Sequence, residues 1–337
     1  MIDPNLPLID LHRHLDGNVR LETILDLGEK HNLPLPVENI EDLRPYVQVV
    51  EPVSGVMDFL DKFEWMIGVL VDYDACRRVA FENVEDAFHE GLDYVELRFS
   101  PLFMSQPHDL DPAKVVAAVV EGIKQGRKTF DIKVNLIGII SRTFGVDKAW
   151  EELESLLGKK EEIVALDLAG DEVNYPGELF RAHIEKGRSA GWKTTIHAGE
   201  EAGPESVWQA IEELQADRIG HGISAVHDHA LMEKLKRDEI GLEINLTSNL
   251  QTSVVSSLRE HPLRRFLEKG ILATINTDDP GISGIDLRHE YNSAAPAAGL
   301  SPTQIKQAQK NSLQVAFLPE NEKKELLGDI HAHKDGR

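Results

Sequence analysis

The chain has 337 residues, 41% of them hydrophobic and 6% aromatic, which suits one large α/β domain with a sizeable core. No stretch approaches the roughly 18 uninterrupted apolar residues of a membrane span, and the opening "MIDPNLPLID" lacks the basic region of a signal peptide. A net charge of −22, from 36 basic and 58 acidic residues, repels a phosphate backbone, so a nucleic-acid polymer is not the expected partner; a neutral small molecule remains open. The single cysteine, Cys76, forbids an intramolecular disulfide and makes a reducing cytoplasm the simplest setting.

The first strand-like run is "LPLIDLH" (6–12), continuing into "RHLDG". In an extended strand residues i and i+2 point to one face, so His12 and His14 are expected side by side. Residues 40–75 then form a long insertion around "VMDFLDKFEWMIGVL" (56–70), where Phe59, Phe63 and Met66 recur at helical spacing. A helix packing its apolar face on the body of the protein explains that spacing, and an apolar lid over a site is compatible with it.

Strand-like runs follow at 94–100, 133–140, 163–170, 193–199, 218–222, 240–249 and 271–279, with amphipathic helix-length stretches between most of them, such as 112–130 and 204–215. Pro204 and Gly191 punctuate helix ends as expected. Eight strands alternating with helices predict an α/β fold of the (β/α)8 TIM-barrel type, a single domain over 1–337 with the helical insertion after its first strand. A doubly wound sheet is the alternative, but no strand leads into G-x-G-x-x-G or a Walker-type loop.

In such a barrel the chemistry sits at the C-terminal strand ends. There the sequence offers His12, His14 and Asp16, then "LAGDE" (168–172), His197 and Glu200 in "HAGE", His221 in "GHG", and Asp278 and Asp279 in "NTDD". His12, His14, His197 and one aspartate make a set suited to a single zinc ion with a position left for water. Water held there ionises near neutral pH. Glu200 is placed to give or take protons, and His221 with the spare aspartate can orient the nucleophile or stabilise charge. Spacing alone does not say which aspartate binds metal. Nor does H-x-H alone mark a metal site: "HDH" (227–229) reads as the start of a surface helix and "HAH" (331–333) as part of a polar tail.

The motifs "LHRHLDG" (11–17), "VELRFSP" (95–101), "SRTFG" (141–145), "DLAGDE" (167–172), "HAGE" (197–200), "IGHG" (219–222), "LTSN" (246–249) and "NTDDP" (276–280) together resemble the adenosine deaminase family of the amidohydrolase superfamily, most closely its bacterial members, over residues 6–318. The resemblance implies hydrolytic deamination of adenosine and 2′-deoxyadenosine to inosine and 2′-deoxyinosine, with release of ammonia, in purine salvage. It implies one Zn2+ per chain on His12, His14, His197 and Asp278. Glu200 would protonate purine N1, while Asp279 and His221 would hold and activate the attacking hydroxide. Substrate contacts would come from His14, Asp16 (to the ribose 5′-hydroxyl), the Gly170 N–H (to purine N3), Asp279, Phe59 and Phe63.

Binuclear relatives carry a lysine late in the fourth strand; "IVALDLAGDE" has none, which favours one metal. Adenine deaminases tend to show glutamate where this chain has Asp16. Asp16 as a simple turn cap, a deaminase of another adenine-containing nucleoside, a non-catalytic nucleoside-binding protein and a metal-dependent ester or amide hydrolase are the competing readings. The sequence leaves the oligomeric state open.

Overall fold

The computed structural model describes residues 2–335. Eight parallel strands run in sequential order: β1 Ile9–His14, β2 Tyr94–Phe99, β3 Lys133–Ser141, β4 Ile163–Ala169, β5 Lys193–Ala198, β6 Arg218–His221, β7 Gly241–Ile244 and β8 Ala273–Ile275. Beyond β8, the Asp278 N–H donates to the His12 carbonyl and the His14 N–H to the Asp278 carbonyl, both at 2.8 Å, bringing the last strand's extension onto the first. The result is the expected (β/α)8 barrel. Its strands are almost wholly buried, as all-parallel strands between two packed layers must be.

The outer helices follow the amphipathic stretches. Pro112–Thr129 starts on a proline at its first position, capped by the Asp111 carboxylate on the Ala113 N–H at 2.9 Å. It buries Val115, Val116, Val119 and Ile123, each such side chain contributing roughly 1.5–3 kcal/mol.

Two boundaries differ from expectation. The seventh strand ends at Ile244, and "LTSN" opens a helix, Leu246–Gln251, whose backbone turns after Asn245. The 56–70 segment is helical but segmented: Val56–Leu60, a 3₁₀ turn Asp61–Phe63, then Glu64–Ile67. Leu60 (φ −63°, ψ −24°) and Phe63 (φ −67°, ψ −21°) stay in the right-handed region, so this is one helical run tightened in its middle. Phe59, Phe63 and Met66 all face inward, 3%, 3% and 0% exposed. "HDH" opens a helix at His229, as read, while the side chains of "HAH" lie outside the described ones. Among the described residues no helix is long and apolar enough to cross a membrane.

The barrel interior departs from the usual apolar layering. Glu96, Arg98, Asp167, Arg218 and Glu243 are all buried at its centre. Their charges are paired: Arg98 bridges Asp167 and Glu243, and Arg218 bridges Glu243 and Glu96.

Candidate active site

The C-terminal strand ends gather the histidines and aspartates read from the sequence. His12 and His14 end β1 on one face, their ring centroids 5.4 Å apart; His197 lies 4.6 Å from His12 and 5.4 Å from His14. Asp278 Oδ1 is 3.1 Å from His12 Nε2 and 3.4 Å from His14 Nε2, and the two Nε2 atoms of His14 and His197 are 3.4 Å apart. His221 comes closer to this set than expected. Donor atoms of His12, His197, His221 and Asp278 all lie within 4.8 Å of one another, and His14 groups the same way with Asp278 and Asp279. His221 (φ 60°) and Asp278 (φ 68°) hold left-handed backbone that non-glycine residues rarely adopt, a strain typical of sites. Close approach also depends on Gly17, where a Cβ would lie 1.7 Å from Asp279 Oδ1.

The residues beneath the histidines were not foreseen from sequence. Glu243 Oε2 accepts from His12 Nδ1 at 2.7 Å, and Asp167 Oδ1 from His197 Nδ1 at 3.0 Å. Each carboxylate fixes its imidazole with the proton on Nδ1, leaving the Nε2 lone pair toward the cavity. Arg98 ties the two carboxylates together at 2.7 Å each. Asn249, within "LTSN", donates from Nδ2 to His221 Nδ1 at 2.9 Å while its Oδ1 accepts from His261 Nε2 at 3.2 Å. His221 therefore carries its proton on Nε2, 3.5 Å from Glu200 Oε2. The sequence signal for these residues was polar side chains inside apolar strands: "VELRF", "ALDLA" and "GLEI".

A divalent metal ion fits this arrangement. His12 Nε2 is buried without a hydrogen-bond partner and presents its lone pair to the Asp278 carboxylate, a pairing that calls for a cation between them. The surrounding electrostatics agree. Burial pushes His14 down, but Asp279, Asp16 and Asp278 overcome it and pull its pKa up to about 9. Burial, then the charge of Asp278, drives Glu200 well above the ordinary carboxylate range. Burial likewise raises Asp279 well above its ordinary value. Burial holds His197 down at about 4 and His221 well below its ordinary value, so both are neutral near pH 7.

Above the histidines is a cavity of about 260 Å³, close to the lower end of the roughly 300–1,000 Å³ of small-molecule clefts. His14, Asp16, Gly170, His197, Glu200, His221, Asp278 and Asp279 line it, together with the rings of Phe59 and Phe63. Asp16 does not cap its own turn. Its Oδ2 accepts the Ser100 N–H at 3.0 Å, and its buried Oδ1 has no hydrogen-bond partner. Gly170 has φ +100°, and a Cβ there would meet Thr143 Oγ1 at 2.4 Å.

Comparison with known proteins agrees with this geometry. The family model described as adenosine deaminase matches residues 7–333. The chain is similar to an adenosine deaminase of Photorhabdus laumondii, 58% identical over 97% of this chain and 98% of that protein. Among solved structures it resembles an adenine deaminase from Arthrobacter aurescens, with a TM-score of 0.89, 25% identity and coverage of 98% and 99% of the two chains. It shares its fold with a zinc-bound amidohydrolase from Burkholderia ambifaria, with a TM-score of 0.86, 24% identity and coverage of 98% and 91%. A His/Asp cluster able to hold a metal at the strand ends and a match over nearly the whole chain lead to one conclusion: this chain belongs to the adenosine deaminase family.

Proposed function

We propose that this chain is an adenosine deaminase, hydrolysing the C6 amine of adenosine and 2′-deoxyadenosine to give inosine or 2′-deoxyinosine and ammonia in purine salvage. The observation that carries the reading is the meeting, in one cavity, of the metal-ligating cluster, Glu200 and an Asp16 oxygen without a partner. The 58% identity to an adenosine deaminase over nearly the whole chain supports it.

In this reading His12, His14, His197 and Asp278 hold one zinc ion; three imidazoles and one carboxylate suit that metal. When bound, zinc supplies Lewis-acid charge and lowers the pKa of water. Glu200, protonated because of its burial and the charge of Asp278, gives its proton to purine N1 and makes C6 electrophilic. Asp279, whose Oδ1 has no partner, would take the proton of the attacking water once the charge of a bound ion offsets the burial that raises its pKa. The neutral His221 directs its Nε2–H at the developing charge on oxygen. Proton return to the amine lets ammonia leave.

The base lies between Gly170, whose N–H meets purine N3, and the Phe59–Phe63 roof, a lid over the site. The free oxygen of Asp16 accepts the ribose 5′-hydroxyl, and His14 lies beside it. A base without ribose leaves that oxygen unpaired, which places adenine second. The whole chain acts as one catalytic domain with a nucleoside as its small-molecule partner. The lone buried Cys76 thiol is consistent with a reducing cytoplasm. Ammonia release from adenosine, 2′-deoxyadenosine and adenine tests the reading: the two nucleosides should turn over, with adenine slower by at least about tenfold, equivalent to 1.4 kcal/mol. Preferential turnover of adenine, or none of the three, would overturn it.

A further inference from the structure

We propose that Glu172 is a positioning residue for the reaction, its carboxylate fixing the loop that carries Glu200. Glu172 closes the "DLAGDE" segment after β4 and is 6% exposed. Its side chain reaches across to the segment between β5 and the helix Pro204–Glu212. Oε1 accepts the Glu201 N–H at 2.6 Å and the Ala202 N–H at 2.7 Å. Oε2 accepts the Gly199 N–H at 2.9 Å and the Ser206 hydroxyl at 2.8 Å.

The donors lie on both sides of Glu200 in the chain. The loop makes a sharp turn at Gly199 (φ +69°), where a Cβ would meet Ser224 Oγ and Val207 Cγ2 at 2.4 Å. Backbone N–H groups in such a turn lie outside the strand and helix ladders and need another acceptor. One carboxylate serves three of them, and carboxylate bonds to backbone N–H are among the stronger kind. With residues 199, 201 and 202 pinned, the Glu200 backbone is held from both directions and its side chain stays over the metal-ligating cluster.

The same loop touches the helical segment that lines the cavity, because the Val56 N–H donates to Glu201 Oε1 at 3.0 Å. Glu172 itself does not line the cavity. It acts through Glu200, so the proposal rests on the reading of Glu200 as proton donor.

Glu172→Gln is nearly isosteric but sets an NH2 group against two of the four donors. With adenosine as substrate, we expect kcat to fall about 10- to 100-fold with KM within about threefold, since a displacement on the order of 1 Å costs that much in rate. Metal content should be unchanged, and hydrogen exchange of the 199–202 amides should quicken.

The deciding measurement is the double-mutant cycle with Glu200→Gln. If Glu172 works by placing the Glu200 carboxyl, adding Glu172→Gln to Glu200→Gln should cost less than about threefold more in kcat. Equal losses in both backgrounds, or an unchanged kcat in the single variant, would overturn the proposal while leaving the Glu200 reading intact. Full activity of Glu200→Gln alone would overturn both. If Glu172→Gln does not fold, Glu172→Asp, which keeps the charge but withdraws it by one methylene, runs the same cycle with the same expected result.

Discussion

Replacing Glu243 by Gln should weaken metal binding without touching a metal-ligating residue. Four donors converge on its two oxygens: His12 Nδ1 and Arg98 at 2.7 Å on Oε2, Thr195 Oγ1 at 2.7 Å and Arg218 Nε at 2.6 Å on Oε1. An amide accepts at one end only, so two donors lose their acceptor. At about 1.5–3 kcal/mol for each charge-assisted bond, the loss is about 3–6 kcal/mol. Arg98 keeps Asp167 and Arg218 keeps Glu96, so neither guanidinium is left unpaired, which puts the expected cost near the lower end. If the amide nitrogen faces His12, the imidazole accepts at Nδ1 and moves its proton to Nε2, which removes the lone pair from the cluster. Metal affinity should then fall about 10- to 100-fold, as for other residues that orient a ligand. Chelator competition measures the affinity, and urea unfolding of metal-free and metal-loaded protein measures the stability. Affinity within threefold of wild type, with stability changed by less than about 1 kcal/mol, would refute the reasoning.

Glu200→Gln should keep fold and metal but lower kcat for adenosine by about 10² to 10⁴, measured by ammonia release; a loss under about tenfold would contradict its role as proton donor. Asp16→Ala should lower kcat/KM for adenosine about 10- to 200-fold, the worth of a charge-assisted bond of roughly 1.5–3 kcal/mol, yet change 5′-deoxyadenosine little; equal losses on the two substrates would assign Asp16 to structure alone. Glu290 should make stability depend on pH. Its Oε1 accepts the Thr247 N–H at 3.2 Å, Oε2 is without a hydrogen-bond partner, and burial pushes the carboxyl from 4.5 up to about 8. The folded state then binds the proton more tightly than the unfolded state. Its contribution is fully present below pH 4.5 and is lost as pH rises through 8, on the order of 5 kcal/mol in all. Chemical unfolding across that window should show wild type losing this share and Glu290→Gln not losing it; parallel curves would refute the assignment.

The eight strands were legible because each is a short apolar run buried on both faces, bounded by turn residues. The end of β7 was not, because "INLTSN" continues the apolar pattern while Asn245 leaves the extended region and a helical turn begins. Periodicity cannot separate a buried strand from a short buried helix. His12, His14, His197 and Asp278 could be singled out because polar side chains at the ends of several apolar strands converge in a barrel, and the fold does bring them together. Glu243, Asp167 and Arg98 could not be assigned in the same way. Their roles arise from pairings across different strands, 145 residues apart for Arg98 and Glu243, and one chain carries no trace of which charged residues will meet. Asn249 and Glu172 stood inside quoted motifs, but their partners, His221 and the 199–202 amides, became visible only with the fold.

Asp278 belongs to two structures at once. Its backbone joins the chain's last strand extension to its first strand, and its carboxylate faces His12 and His14 on that same first strand. An ion held there would act as a clasp across the barrel's seam, adding a second fastening where β1 and β8 meet. Opening the seam would mean releasing the ion, so the barrel's resistance to local opening would rise with free metal concentration as RT ln(1 + [metal]/Kd). Chelation would then make the molecule more open to proteases at its first and last strands before any general loss of helix.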